Sequence, residues 1–263
     1  MSGNAWGGWV SLTEAQANVA RRVIERESRL RSHVVVYLSG AHAYGFPSPD
    51  SDLDIKCVHT QPTDALLGMH APETSAELTE GIDGVDIDYG SNEVAQVLRG
   101  LVSGNGNFLE RVLGVTVLWA STDLPSLREL APHFLSRRFS NHYRGFADRQ
   151  RRLLVERPSV KRALYVMRTA LTGAHLMTTG EVVTDVNVLF ARWGLRTGQR
   201  LVERKRLGER TPLESAELAN LASLVDTAFT AFEESLRDSP LPAEPTGVDA
   251  VDTWLRSFRR SRL

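Results

Sequence analysis

A run of six residues, His33-Val34-Val35-Val36-Tyr37-Leu38, constrains the fold of this chain more than any other segment. Three successive valines lose side-chain freedom in a helix, and the run is too short for one, so it reads as a buried strand. It ends at Ser39-Gly40. A turn-rich connection holding Gly40, Gly45, Pro47 and Pro49 follows, and Leu53 to Val58 reads as a second strand. The second strand opens on acids, Asp50-Ser51-Asp52-Leu53-Asp54.

Asp52 and Asp54 are two residues apart at the start of a strand, so their side chains leave the same face. Two carboxylates that close repel each other unless a cation lies between them. Magnesium suits such a pair, because it prefers hard oxygen ligands and shares its sphere with substrate phosphates. Gly40, at the end of the first strand, lets the backbone approach a ligand closely. If a short helix starts there, its free N–H groups form an anion site. Val85-Asp86-Ile87-Asp88-Tyr89 alternates apolar and acidic residues, which predicts a third strand with one carboxylate face. Asp86 or Asp88 would complete the acid cluster. The order differs from that of a phosphatase with an aspartate nucleophile, whose Asp-x-Asp directly follows a buried strand. There is no Walker A sequence.

Other function classes are narrowed by composition. The formal net charge of −1 does not indicate a global electrostatic hold on nucleic acid, although a local basic face is compatible with it. The single cysteine, Cys57, can form no internal disulfide and no multi-thiolate zinc site, and its apolar neighbours predict a buried, inert thiol. The residues Met1 to Val10 do not read as a signal peptide, and no segment approaches the roughly 20 apolar residues of a membrane span. A cytoplasmic location is expected.

These motifs resemble those of the DNA polymerase β nucleotidyltransferase superfamily, and more closely its RNA-repair-ligase-associated members. Their signature runs Gly-Ser-x-Ala-Tyr-Gly and then Ser-Asp-x-Asp. Here Gly40, Ala43, Tyr44, Gly45, Ser51, Asp52 and Asp54 are in register. Gly104-Asn105-Gly106-Asn107-Phe108-Leu109-Glu110 is similar to the family's Gly-Asn-Pro-x-x-x-Glu, with Gly106 replacing proline. Phe139 to Ala147 with Gln150, then Lys161 to Tyr165 with Arg168, resemble its helical half. The resemblance covers roughly residues 33 to 181. It implies a magnesium-dependent transfer of a nucleoside monophosphate from a nucleoside triphosphate to a hydroxyl acceptor, RNA or a small molecule. Asp52, Asp54 and Asp88 would hold the metal, with Asp86 the alternative to Asp88. The spacing to the following helix favours Asp88. Ser39, Gly40, Ala41, Tyr44, Lys161 and Arg168 are the expected nucleotide contacts. Ala41 departs from the family's serine, a phosphate ligand. That departure favours a second possibility, a catalytically silent module of the same fold that binds nucleotide or RNA. A third is a protein-interaction partner working through the helical half.

The predicted fold is α/β (α+β): a small mixed-sheet nucleotidyltransferase core over residues 1–121, then an α-helical domain over 122–263, with the cleft between them. Thr13 with Gln16 predicts a capping box at the head of the first helix. Pro62 to Gly68 reads as a short helix. His70 to Glu80 is polar and acidic and reads as a mobile loop. Ser91 is the expected cap of a helix over about 92–102, and another short helix is expected from Phe108. Beyond residue 124, helices are expected over 132–155, 159–179, 182–207, 213–237 and 248–262.

His42 is expected to be exposed. Asn105 and Asn107 are expected to shape a turn, with Glu110 paired to Arg111 or capping a helix; lining the cleft is the other reading. Arg200, Arg204, Lys205 and Arg206 form a basic run expected to face outward from an amphipathic helix, with RNA contact the sharper reading. The C-terminal arginines 256, 259, 260 and 262 accompany Trp254 and Phe258, and a helix docked through those aromatics is expected there. Trp6 and Trp9 are expected to pack on the domain surface.

Overall fold

A computed structural model describes residues 7–70, 72–208, 213 and 215–263, with the side chains of 215–219 left aside. It confirms the mixed α/β class. Thirteen helices and five strands are arranged among the described residues as α1 Glu14–Ser28, β1 Ser32–Leu38, α2 Gly40–Ala43, β2 Leu53–Thr60, α3 Thr63–Leu67, β3 Ser75–Ile82, β4 Val85–Glu93, α4 Val94–Val102, α5 Gly106–Leu113, β5 Val117–Ala120, α6 Leu124–Arg128, α7 Ala131–Phe134, α8 Phe139–Glu156, α9 Val160–Thr179, α10 Val186–Arg192, α11 Gln199–Arg206, α12 Ser215–Arg237 and α13 Val248–Arg260.

The chain divides into two compact units. The first comprises Met1–Gly40, Asp52–Leu135 and Glu244–Leu263; the second comprises Ala41–Ser51 and Ser136–Ala243. The connection between β1 and β2 therefore belongs to the second unit, and the C-terminal helix to the first.

In the first unit one sheet runs in the order β3-β4-β2-β1-β5. β1 is antiparallel to β2 and β5, β3 is antiparallel to β4, and the central β2–β4 pair is parallel. Thr13 caps α1 with both halves of the capping box formed. The apolar stripe of that helix, Val19, Ala20 and Val23, packs on Val36, Leu38, Leu53, Ile55, Ile87, Tyr89 and Leu118. Cys57 is fully buried in the same cluster, and burial pushes its thiol up to about 12, an inert group as expected.

Several elements depart from expectation, among them the helices expected over 132–155 and 182–207, which are broken into α7 and α8 and into α10 and α11. The loop predicted over His70 to Glu80 contains most of β3, an edge strand joined to β4 through Asp83 and Gly84, both at positive φ. That is the two-residue Asp-Gly hairpin connection, and the acidic residues of β3 occupy an edge where charge discourages further pairing. Ser91 does not cap α4. Glu93 does, accepting the Ala95 N–H at 2.7 Å, while Ser91 Oγ meets His59 Nδ1 at 2.7 Å.

The C-terminal helix is docked, as expected, but within the first unit rather than in the helical domain expected over 122–263. Phe258 is buried and stacks on Trp254, and Arg259 pairs with the buried Glu93 at 2.7 Å. Trp9 Nε1 donates to the Leu118 carbonyl at 2.8 Å, which fits surface packing; Trp6 lies outside the described residues.

In the second unit, α9 carries the longest buried face, and α8, α10, α11 and α12 pack on it. Gly173 of α9 admits the ring of Phe232 and the Cβ of Tyr143, since a Cβ there would fall 2.4 Å from the Phe232 ring. Among the described residues no helix is long and apolar enough to cross a membrane.

Candidate active site

At the end of β1, the Ser39 N–H donates to the Asp54 carbonyl at 2.7 Å. Gly40 then adopts φ +62°, a conformation that favours glycine. A Cβ placed on it would lie 1.8 Å from Asp54 Oδ2. The Asp54 carboxylate therefore rests against the bare α-carbon of Gly40, and backbone conformation and side-chain contact each demand the glycine. The short helix expected after Gly40 is present as the single turn α2.

Asp54 is the register partner of Asp88 across the parallel β2–β4 ladder. Side-by-side residues of a parallel ladder share a sheet face, and the period of two puts Lys56 and Asp86 on it as well. Leu53, Ile55, Ile87 and Tyr89 go to the opposite face, into the core under α1. Lys56 was not anticipated, although it continues the same alternation one step beyond Asp54. Its Nζ lies 2.7 Å from Asp88 Oδ1 and 3.3 Å from the Asp88 carbonyl. Asp88 is thus held by a charge-assisted bond, whereas Asp86 is exposed opposite Gly81 on the edge strand.

Among the described residues, no three His, Cys, Asp or Glu side chains gather to hold a metal ion. Magnesium does not need such a cage. It binds through one or two carboxylates and completes its sphere with water and substrate phosphates. The hard-oxygen donors Asp52 and Asp54 fit that chemistry.

The connection Ala41–Ser51 is built into the second unit. Thr184 Oγ1 donates to the Ala43 carbonyl at 2.9 Å, the Val186 N–H to the Tyr44 carbonyl at 3.0 Å, and Asn187 Nδ2 to the Gly45 carbonyl at 2.9 Å. Gly45 sits at φ +81°, where a Cβ would lie 2.1 Å from Asp185 Oδ1. The Arg168 guanidinium lies 3.6 Å over the Tyr44 ring, Tyr165 meets that ring edge-on at 5.5 Å, and Lys161 Nζ stands 5.8 Å from the Tyr165 centroid. Of the expected nucleotide contacts, then, Ser39 and Gly40 lie beside Asp54. Ala41, Tyr44, Lys161 and Arg168 lie in the second unit, with Ala41, Tyr44 and Arg168 buried.

Two side chains take positions other than those expected. His42 is buried rather than exposed. Lys205, from the basic run expected to face outward, is fully buried, and its Nζ donates to Ser48 Oγ at 2.8 Å. Ser48 in turn contacts Ser51 Oγ through its own N–H at 2.9 Å and its hydroxyl at 3.0 Å. Glu110 is buried, while Asn105 caps α5, accepting the N–H groups of Asn107 and Phe108. The two asparagines shape a turn, as expected.

At the other end of the sheet lie two buried histidines in register, His33 of β1 and His59 of β2. His33 Nε2 meets Tyr89 Oη at 2.8 Å, and Ser28 Oγ meets His33 Nδ1 at 3.1 Å. Burial lowers both histidines to about 4, with the Arg31 charge adding to the shift.

The chain is 27% identical over 154 residues to an uncharacterized protein of Methanocaldococcus jannaschii, covering 58% of this chain and 63% of that protein, so it spans less than two thirds of that relative's length. It is 26% identical over 233 residues to the uncharacterized protein YcgL of Bacillus subtilis, covering 83% of this chain and 88% of that one. The crystal structure of a nucleotidyltransferase-like protein from Exiguobacterium sibiricum aligns with a TM-score of 0.33 at 12% identity, over 84% of this chain and 74% of that one. A family model, described as the RNA repair pathway DNA polymerase beta family, matches residues 15–257.

Proposed function

We propose, for a chain that belongs to the RNA repair pathway DNA polymerase beta family, that it is a nucleotidyltransferase transferring a nucleoside monophosphate from a triphosphate to a hydroxyl of RNA or a small molecule. Pyrophosphate is the leaving group. The observation that supports this most is the packing of the Asp54 carboxylate against Gly40, at the end of β1 and in register with Asp88. That contact joins the anion-compatible turn and the acid pair in one place.

Asp52 and Asp54 would hold magnesium together with the triphosphate. The ion, when bound, neutralises phosphate charge and stabilises the charge that develops during in-line displacement. The chain's own contribution is positioning. Gly40 carries no side chain, which lets the Asp54 carboxylate pack against its α-carbon at the end of β1. Asp88 would accept the proton of the acceptor hydroxyl, with Lys56 fixing the orientation of its carboxylate. Catalysis of this kind rests on preorganised charge rather than on a covalent intermediate.

A second reading is a silent module that binds nucleotide or RNA without turnover. Two observations favour it: Ala41 stands where the family has serine, and Lys56 occupies Asp88. The test is titration calorimetry with each triphosphate and magnesium, followed by mass analysis of RNA and small-molecule acceptors. Asp52→Asn is expected to abolish magnesium-dependent binding without changing thermal stability, and Asp88→Asn to reduce turnover more than Asp86→Asn. Binding that survives Asp52→Asn refutes the metal role. Binding without turnover of any triphosphate selects the silent module.

A further inference from the structure

The near-neutral net charge of the chain conceals a segregation. The second unit carries 18 lysines and arginines against 13 aspartates and glutamates, whereas the first carries 13 against 19. The whole of that excess lies between Arg137 and Arg162, which contains nine basic residues and two acidic ones, Asp148 and Glu156. Most of this stretch is α8.

The helical period divides those charges into two faces. Arg144 and Arg151 lie on the flank toward α12, where they pair with Glu233 at 3.1 Å and Asp226 at 2.8 Å. Arg138, the half-buried His142, Gly145, Arg149 and Arg152 recur at alternating spacings of four and three along the side turned away from the buried stripe of Tyr143, Ala147 and Leu154, and the exposed Glu156 ends the row. Arg149, Arg152 and Arg157 are exposed, with no acidic partner among the described residues. From Arg138 to Arg152 this stripe runs about 21 Å at the helical rise. Lys161 and Arg162 of α9 follow at its C-terminal end.

We propose that the outer face of α8 is a track for the phosphodiester backbone of a single nucleic-acid strand. Two features favour a polyanion of this kind over an acidic protein surface. The charges are linear, and they are arginines suited to phosphate. Unpaired guanidinium groups gain most from a ligand that releases counterions. The track involves neither Asp52 nor Asp54, so it stands apart from the proposed transfer reaction.

The test is fluorescence anisotropy of the full chain with labelled 20-nucleotide oligo-U and oligo-dT over a salt series. For a single strand, each backbone contact contributes about 0.7 to the log–log salt slope, equivalent to about fivefold in affinity near 0.1 M salt. Arg149→Gln/Arg152→Gln is therefore expected to lower the slope by about 1.4 and to weaken both strands by about 25-fold. Gly145 provides a check that folding loss cannot imitate. A Cβ there meets nothing within 4 Å, so a longer side chain fits. Gly145→Glu is expected to weaken binding and Gly145→Arg to tighten it, while both raise thermal stability by improving the helix. Asp52→Asn should bind the strands like the parent chain, which keeps this result separate from the active-site reading. An unchanged salt slope in the double variant, equal effects of the two Gly145 variants, or equally strong competition by polyglutamate of matched charge each overturns the track.

Discussion

Replacing Gly40 by alanine tests the geometry on which the active site rests. The methyl group meets two penalties of separate origin. At φ +62°, an L-residue is disfavoured by roughly 1–2 kcal/mol. The new Cβ would also lie 1.8 Å from Asp54 Oδ2, where real contacts stay above 3.0 Å, so the carboxylate must move by about 1.2 Å. Overpacking of that kind typically costs a further 1–3 kcal/mol or so. Gly40→Ala should thus destabilise the chain by roughly 2–5 kcal/mol. The two terms separate in a double-mutant cycle. Asp54→Ala removes Oδ2 and Cγ and keeps a Cβ 3.1 Å away, a tolerable distance. In that background Gly40→Ala should retain only the conformational cost, leaving a coupling of about 1–3 kcal/mol. Urea unfolding followed by tryptophan fluorescence is the assay, because Trp9, Trp119 and Trp254 all lie in the first unit. An equal cost of Gly40→Ala in both backgrounds would refute the contact, and with it the principal support for the proposed reaction.

Two further outcomes are expected from buried polar groups. Burial holds His33 and His59 at about 4, below their ordinary 6.5, so the unfolded chain binds more protons in between; stability is fully present above pH 6.5 and is lost as the pH falls toward 4. The loss is on the order of 2 kcal/mol per histidine, and His59→Gln should flatten the urea-measured stability profile between pH 7.5 and 4.5; an unchanged profile would count against the burial argument. Lys205→Ala should cost about 2–4 kcal/mol by opening a cavity beside Ser48, and Lys205→Met much less because its chain refills the space, a difference read from thermal unfolding that would vanish if the side chain faced water.

Local rules made much of the fold legible. The capping box at Thr13 and the valine run of β1 act within a few residues, and each appears where the sequence puts it. β3 was missed because its charges suggested a loop, although its alternation and the Asp83-Gly84 pair carried the signal of an edge hairpin. β5, of four residues, is too short for any periodicity to show. Lys205 was read outward because a basic run on an amphipathic helix normally faces water. Its burial depends on Ser48, 157 positions earlier, and no local pattern encodes that partner. The same holds for Lys56 and Asp88, whose pairing follows from the β2–β4 register rather than from either segment alone.

The signature itself divides into two physical roles. Ala43, Tyr44 and Gly45 offer their carbonyls to Thr184, Val186 and Asn187, the Tyr44 ring lies under Arg168, and Ser51 closes the Ser48 turn that Lys205 grips. Those requirements are met by packing and hydrogen bonding inside the second unit, and account for these residues without any ligand. Gly40, Asp52 and Asp54 flank that segment, in the first unit. Gly40 is demanded by backbone conformation and by the carboxylate against it, whereas Asp52 and Asp54 stand half-buried at the head of β2. The Ala43–Ser51 half of the motif is thus explained by architecture, whereas Asp52 and Asp54 are the residues on which the proposed function rests.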